Sequence, residues 1–172
     1  LEKSTSEFHF THLLNALKKL DETNIIFTKT NADTDGRVIN RLIDDYVVAN
    51  PETTIVFDSL GQLNYLSAMQ FVDGVVGNSS SGLLEAPSFK IGTINIGDRQ
   101  KGRIKASSVI DCLPTEVSIT GALQKLFSIE FSRSVKHTSS PFGDGGVAEK
   151  ITKIIENTNI DGIVKKSFYD KH

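Results

Sequence analysis

Three consecutive hydroxyls, Ser79, Ser80 and Ser81, stand between the short run Val75-Val76-Gly77-Asn78 and the segment Gly82-Leu83-Leu84-Glu85-Ala86-Pro87. The spacing predicts a strand that turns through Gly77 and Asn78 and hands over directly to a short helix ended by Pro87. Open α/β sheets place anionic ligands at such a handover. First-turn N–H groups have no intrahelical acceptor there, and the helix dipole adds partial positive charge. The serines add hydroxyl donors around the same point. Glu85, about one turn further in, is placed to accept from a pair of sugar hydroxyls. The chemistry implied is capture of a phosphorylated sugar or nucleotide by backbone and hydroxyls rather than by a lysine. A plain turn with an N-cap uses the same residue types, and the local pattern leaves both readings open.

Other candidate residues lie in loops that also follow apolar runs. Gly97-Asp98-Arg99-Gln100-Lys101-Gly102-Arg103 is a glycine-bracketed loop with three basic residues, Arg99, Lys101 and, just past the second glycine, Arg103. A guanidinium grips phosphate oxygens through paired N–H groups, so Arg99 and Arg103 are either anion contacts or part of a solvated loop. Asn31, Asp33 and Arg37 sit where a strand meets a helix, facing a cleft or capping their own loop. Tyr65 reads as packing, or as a stacking surface for a base near the serines. Asp144, in Pro141-Phe142-Gly143-Asp144-Gly145-Gly146-Val147, is an N-cap or a ligand contact. His9 and His12 read as helix surface, since no third ligand is in register with them for a metal.

These loops need a scaffold, and the chain supplies one in alternation. Ser4-Thr5-Ser6-Glu7 forms a capping box with Ser4 as N-cap. Phe10, Leu13, Leu14 and Leu17 then repeat at helical spacing, in a helix ending near Leu20 to Asp21. Asn24 to Thr28 is a short, nearly continuous apolar run, as in a parallel strand covered on both faces. Ile39, Leu42, Ile43, Tyr46 and Val47 stripe a second helix, stopped at Asn50-Pro51. Strands follow at Thr53 to Phe57, Asp73 to Gly77, Lys90 to Ile96 and Ser108 to Cys112. Leu63, Leu66, Ala68 and Met69 mark a short helix between the second and third. Pro114-Thr115-Glu116 opens a helix carrying Ile119, Leu123, Leu126 and Phe127. Phe131 to Pro141 reads as polar and extended. Val147, Ile151, Ile154 and Ile155 mark a further helix, and Ile163, Val164 and Phe168 a short one in the tail after Asn159. Repeated strand and helix predict a three-layer α/β domain with a mainly parallel sheet. Its loops then gather outside the carboxyl ends of the strands, and that convergence strengthens the ligand reading for Ser79 to Ser81, Glu85 and Arg99 together.

Composition narrows the function classes. The 172 residues suit one domain with a real core, and a net charge of -2 offers no basic face for nucleic acid. No apolar run is long enough to cross a membrane. The single cysteine, Cys112, excludes an internal disulfide, reads as a small buried side chain, and gives no metal cluster. Cytoplasm is the simplest compartment. Neither a dinucleotide fingerprint nor a Gly-Lys-Ser phosphate loop is present, which speaks against NAD binding and P-loop chemistry. No cofactor is implied.

The chain resembles the second half of the UDP-N-acetylglucosamine 2-epimerases. The resemblance rests on Thr30-Asn31-Ala32-Asp33, on Gly77 to Pro87, on Asn95-Ile96-Gly97-Asp98-Arg99-Gln100-Lys101-Gly102-Arg103, and on Pro141 to Gly146. The Asn-Ser-Ser-Ser-Gly and Gly-Asp-Arg-Gln-Lys-Gly-Arg forms resemble most the hydrolysing branch, which makes N-acetylmannosamine and UDP for sialic acid synthesis. The non-hydrolysing branch is close behind. The resemblance implies a Rossmann-like domain spanning 1–172, the C-terminal half of a glycosyltransferase-B type enzyme, holding UDP or the UDP part of UDP-N-acetylglucosamine. By that match Ser79 meets the nucleotide phosphates, with Ser80, Ser81 and Gly82 adjoining. Glu85 holds the ribose hydroxyls, and Tyr65 lies beside the uracil. Arg99, Arg103 and Asp144 line the cleft. The family chemistry removes the C2 proton, eliminates UDP in anti fashion to a glycal, and adds water. Its carboxylates come mainly from the first domain, and a phosphate-binding histidine is expected on a strand just ahead of Leu1. The resemblance therefore implies no catalytic residue in this chain, weak UDP binding without turnover by the chain alone, and a full-length homodimer. A glycosyltransferase half and a non-catalytic UDP-sugar binding module are the remaining readings.

Overall fold

Apolar runs and amphipathic stretches alternate in the computed structural model as the sequence implies. In order they form α1 (Lys3–Leu17), β1 (Ile25–Thr28), α2 (Thr34–Ala49), β2 (Thr54–Phe57), α3 (Gly61–Ala68), β3 (Gly74–Gly77) and α4 (Ser81–Leu84). A 3-10 helix (Ala86–Phe89) follows, then β4 (Gly92–Ile96), β5 (Val109–Cys112), α5 (Glu116–Leu126), α6 (Ile129–Val135) and α7 (Val147–Asn157). The structure describes residues 3–30, 34–143, 145–162 and 164. The chain divides into two units, Leu1–Phe142 and Gly143–His172. Asn31, Asp33, Asp144, Ile163 and Phe168 lie outside the described residues.

Every strand pairing among the described residues is parallel. β1 pairs with β2, with Ile26 opposite Ile55, while β3, β4 and β5 pair in that order, with Val76 opposite Ile94 and Ile94 opposite Ile110. The strands thus form two sheets rather than one, and among the described residues β1, β2, β3 and β5 each keep an unpaired edge. β4 is buried from Gly92 through Asn95, as expected for a strand with neighbours on both edges and helices on both faces.

The first unit has one core. Leu13, Leu14, Ala16 and Leu17 of α1 pack with Phe27, with Ile43 and Tyr46 of α2, with Ile94 and Ile110, and with Ile119, Leu123 and Leu126 of α5. Helix α1 touches both α2 and α5 and so spans the two sheets on this face. Side chains alternate along β4. A Cβ on Gly92 would meet Leu126 and Phe131, whereas Thr93 faces Gly82 of α4, so α5 and α6 cover one face and α4 the other. Ile26, Ile55 and Phe57 lie on the opposite face of β1–β2 from Phe27 and are exposed.

Several expectations are corrected. Helix α1 starts at Lys3, so Ser4 lies inside it rather than at its N-cap, and the helix stops at Leu17, with two turn bonds continuing to Leu20. The stretch taken as extended from Phe131 to Pro141 is helical through Val135, where Ser128 caps α6 through the Phe131 N–H and Phe131 and Val135 are buried one turn apart. A serine-rich composition hid that pattern. Phe127 and Leu63 are exposed rather than inward. Cys112 is half-buried, not fully enclosed. In the second unit α7 carries Val147, Ile151, Ile154 and Ile155 on one exposed face.

Candidate functional site

The handover after β3 is tight. Gly77 has φ 153, a conformation that side-chain-bearing residues rarely adopt, and it turns the chain into Asn78. The Ser79 hydroxyl accepts from the Ser81 N–H at 3.3 Å, so the turn reading is true of Ser79. Helix α4 is a single turn whose N-cap, Ser80, makes no side-chain cap bond; it ends at Leu84 rather than at Pro87, and Glu85 links it to the 3-10 helix Ala86–Phe89, inside which Pro87 lies. So short a helix sums few peptide dipoles.

The segments that follow β1, β2 and β3 line an open cavity of about 410 Å³. Tyr65 of α3, Ser81 and Glu85 line it, together with Lys29 directly after β1, and Asp58 and Gln62 after β2. The Tyr65 and Ser81 hydroxyls are 2.6 Å apart and share a hydrogen bond. Burial pushes the Tyr65 phenol above its ordinary range, the Ser81 bond opposes this, and the Glu85 charge adds to it. The phenol therefore keeps its proton at neutral pH. One Glu85 carboxylate oxygen, Oε2, is buried and meets no hydrogen-bond partner among the described residues. A carboxylate oxygen left so is an acceptor awaiting a donor.

Lys29 is already engaged. Its Nζ lies 3.0 Å from Asp44 and 3.3 Å from Asp58, and those bonds raise its pKa. Asn40 of α2 pins the end of β1, accepting from the Thr30 N–H at 2.9 Å and donating to its carbonyl at 3.2 Å. Lys29, Asp58, Gln62 and Asn40 were not singled out from the sequence. The first two directly follow strands, and that position was the available signal.

The glycine-bracketed loop after β4 reaches the serine loop at Asn78. Gln100 donates to the Asn78 carbonyl at 2.8 Å, and the Arg99 guanidinium lies 3.5 Å from the Asn78 side-chain oxygen. Arg103 is exposed, and its N–H closes the loop onto the Gln100 carbonyl at 3.3 Å. Gly82 faces inward. Its carbonyl accepts from the Thr93 hydroxyl at 2.9 Å, and a Cβ there would lie 2.5 Å from the Thr93 methyl. The structure thus brings Tyr65, Ser81 and Glu85 into one cavity and sets Arg99 beside the loop of Ser79 and Ser80. It places Gly82 at the α4–β4 contact.

Beside β4 and β5, Lys105 bonds both Asp111 oxygens at 2.7 Å, and Asn95 donates to Asp111 at 2.7 Å. Burial would raise the Asp111 pKa, but Lys105 and Asn95 outweigh it and hold the carboxyl below its ordinary range. Burial, with Asp111 next to it, pushes the Cys112 thiol up to about 11. Among the described residues no group of three or more His, Cys, Asp or Glu is arranged to hold a metal ion, and no helix is long and apolar enough to cross a membrane.

Comparison with known proteins matches residues 2–156 to the family model described as UDP-N-acetylglucosamine 2-epimerase. A Campylobacter jejuni protein named GDP/UDP-N,N'-diacetylbacillosamine 2-epimerase (hydrolyzing) is 41% identical over 160 residues, covering 92% of this chain and 41% of that protein. The Escherichia coli polysialic acid biosynthesis protein P7 is 34% identical over 163 residues, covering 92% of this chain and 40% of its own length. The chain thus spans about two fifths of these relatives. The 2.2 Å crystal structure of a Listeria monocytogenes protein provisionally described as a UDP-N-acetylglucosamine 2-epimerase superposes with a TM-score of 0.69. It covers 96% of this chain and 44% of that one at 14% identity, which speaks to the fold. With the family model spanning most of the chain and a closely similar relative aligned over nearly all of it, the chain belongs to the UDP-N-acetylglucosamine 2-epimerase family.

Proposed function

We propose that this chain is the UDP-binding half of a hydrolysing 2-epimerase that converts UDP-N-acetylglucosamine and water to N-acetylmannosamine and UDP. The observation that carries this reading is the cavity at the strand ends. It joins the Tyr65–Ser81 hydroxyl pair to a Glu85 oxygen with no partner among the described residues. Glu85 accepts the ribose hydroxyls, Tyr65 borders the base, and the loop of Ser79 and Ser80 with Arg99 meets the diphosphate. Arg103 flanks the cleft.

Departure of UDP after loss of the C2 proton builds negative charge on the diphosphate. Hydroxyls, N–H groups and a guanidinium stabilise that charge. The C2 proton transfer and the delivery of water need carboxylates on the sugar. These come from the other half of the parent enzyme, and the chain alone binds UDP without turning substrate over. The unpaired edges of β1 and β3 support a further strand, from the preceding part of the parent, between them. The parent is cytoplasmic and homodimeric.

A second reading concerns the sugar alone. The name of the Campylobacter relative, at 41% identity, favours a diacetylated aminosugar in place of N-acetylglucosamine.

Reaction of the parent enzyme with each UDP-sugar in deuterated water tests the proposal. The expected products are UDP and a free aminosugar carrying deuterium at C2, with none formed by the 172-residue chain alone. Release of a UDP-linked epimer would instead place the enzyme in the non-hydrolysing branch. Transfer of the sugar to an acceptor without C2 exchange would make it a glycosyltransferase.

A further inference from the structure

Gln100 is buried, at 3% exposure, in a loop whose neighbours are exposed. Its Nε2 donates to the Asn78 carbonyl at 2.8 Å, while its Oε1 is buried without a hydrogen-bond partner among the described residues. Burying half an amide unsatisfied costs about 1–3 kcal/mol. A methionine of similar volume would fill the same space without that cost. Packing alone therefore does not account for an amide at this position, and the donated hydrogen bond is what sets glutamine apart.

That bond fixes a peptide plane. The Asn78–Ser79 peptide is planar and trans, so its C=O and N–H point in opposite directions. Holding the Asn78 carbonyl toward buried Gln100 turns the Ser79 N–H to the outer side, where Asn78 and Ser79 are exposed. The Ser79 N–H meets no acceptor among the described residues. Arg99, the residue before Gln100, reaches the side chain of the same Asn78. One loop thus orients the peptide and sets a guanidinium beside it.

We propose that Gln100 is a positioning residue for the diphosphate, aiming the Ser79 N–H through the Asn78 carbonyl. The inference rests on the UDP-site reading above. Gln100 touches no ligand atom itself, and its role is to keep one backbone donor preset before the ligand arrives.

The test compares UDP and uridine binding to the wild-type protein and to Gln100→Met, with urea unfolding of both. The expected result is a roughly tenfold loss of UDP affinity, as for a hydrogen bond to a charged group. Uridine affinity stays within about twofold, and the unfolding midpoint is unchanged or higher, because an orphan amide oxygen has been removed. A purely structural role would lower the midpoint and weaken both ligands. Retention of the UDP-over-uridine preference in Gln100→Met would overturn the inference while leaving the site reading intact. Equal binding of UDP and uridine by the wild-type protein would overturn the site reading and the inference together. A measurement free of any variant is the amide spectrum of the wild-type protein titrated with UDP and with uridine. The Ser79 N–H must shift with UDP and not with uridine, and a Ser79 signal indifferent to UDP would refute the proposal.

Discussion

Gly82→Ala probes the contact that seats the serine loop on the sheet. The added Cβ would lie 2.5 Å from the Thr93 methyl, against 3.6 Å from the Thr93 hydroxyl oxygen and 3.7 Å from its Cβ. Only the methyl is in the way. Thr93 is 2% exposed and hydrogen-bonded to the Gly82 carbonyl, so it has nowhere to move without loosening that bond. Overpacking of this kind costs about 1–3 kcal/mol, and weakening the buried bond adds up to about 1 kcal/mol. Alanine's better helical preference offsets about 1 kcal/mol. The net expectation is a destabilisation of about 2 kcal/mol, or a Tm lower by about 4–8 °C for a chain of this size. Thr93→Ser deletes the obstructing methyl and keeps the donor. In that background the same Gly82→Ala change should be neutral or stabilising by up to about 1 kcal/mol. Urea unfolding of the four proteins reads the double-mutant cycle directly. A cost of about 2 kcal/mol in both backgrounds would refute the assignment of the clash to the Thr93 methyl.

Tyr65→Phe leaves the Ser81 hydroxyl without its partner, and UDP affinity should fall about fivefold, as for one neutral hydrogen bond; an unchanged dissociation constant would count against the Tyr65–Ser81 pair. Cys112, with its thiol pushed up to about 11, should react with a thiol reagent at pH 8 about a hundredfold more slowly than an unperturbed cysteine. Its labelling rate should rise about tenfold per pH unit up to pH 10, and fast labelling at pH 8 would contradict the burial described. Asp111 has a lowered pKa in the folded state. Its stabilisation is present above the unfolded value of about 4 and is lost as pH falls through the folded one. Because Asp111 is 55% exposed, Asp111→Asn should remove less than about 1 kcal/mol of stability at pH 7. It should also flatten the acid limb of the stability profile, and an unaltered acid limb would show the pair to be idle.

The sequence made the strands legible because parallel strands bury both faces and read as apolar runs. β4 is the clearest case, buried from Gly92 to Asn95. It could not show that the strands separate into two sheets, since pairing depends on which strands exist to fill the layer. Helix α6 was missed because its buried apolar residues are only Phe131 and Val135, with Ile129 exposed and serines between. Near the cavity, Ser81 and Glu85 were singled out from residue type and position after a strand, and Tyr65, which read as packing by default, from the family resemblance. Their joint cavity needed the fold, because Tyr65 approaches Ser81 from a different helix. Gln100 was passed over for the arginines around it. Its importance lies in burial and in a bond to a backbone carbonyl, neither of which residue spacing reveals. Gly82, placed by resemblance beside the ligand, also packs against Thr93, a contact that only the fold reveals.

The central claim is that a uridine nucleotide occupies the cavity at the ends of β1, β2 and β3. Calorimetric titration of the protein with UDP, beside a Glu85→Ala variant of matched unfolding midpoint, tests it most directly. The account predicts saturable binding by the wild-type protein, and a loss of about tenfold or more in the variant, because a carboxylate accepting ribose hydroxyls contributes about 1.5–3 kcal/mol. Wild-type binding that is unaffected by Glu85→Ala would contradict the assignment of the nucleotide to this cavity.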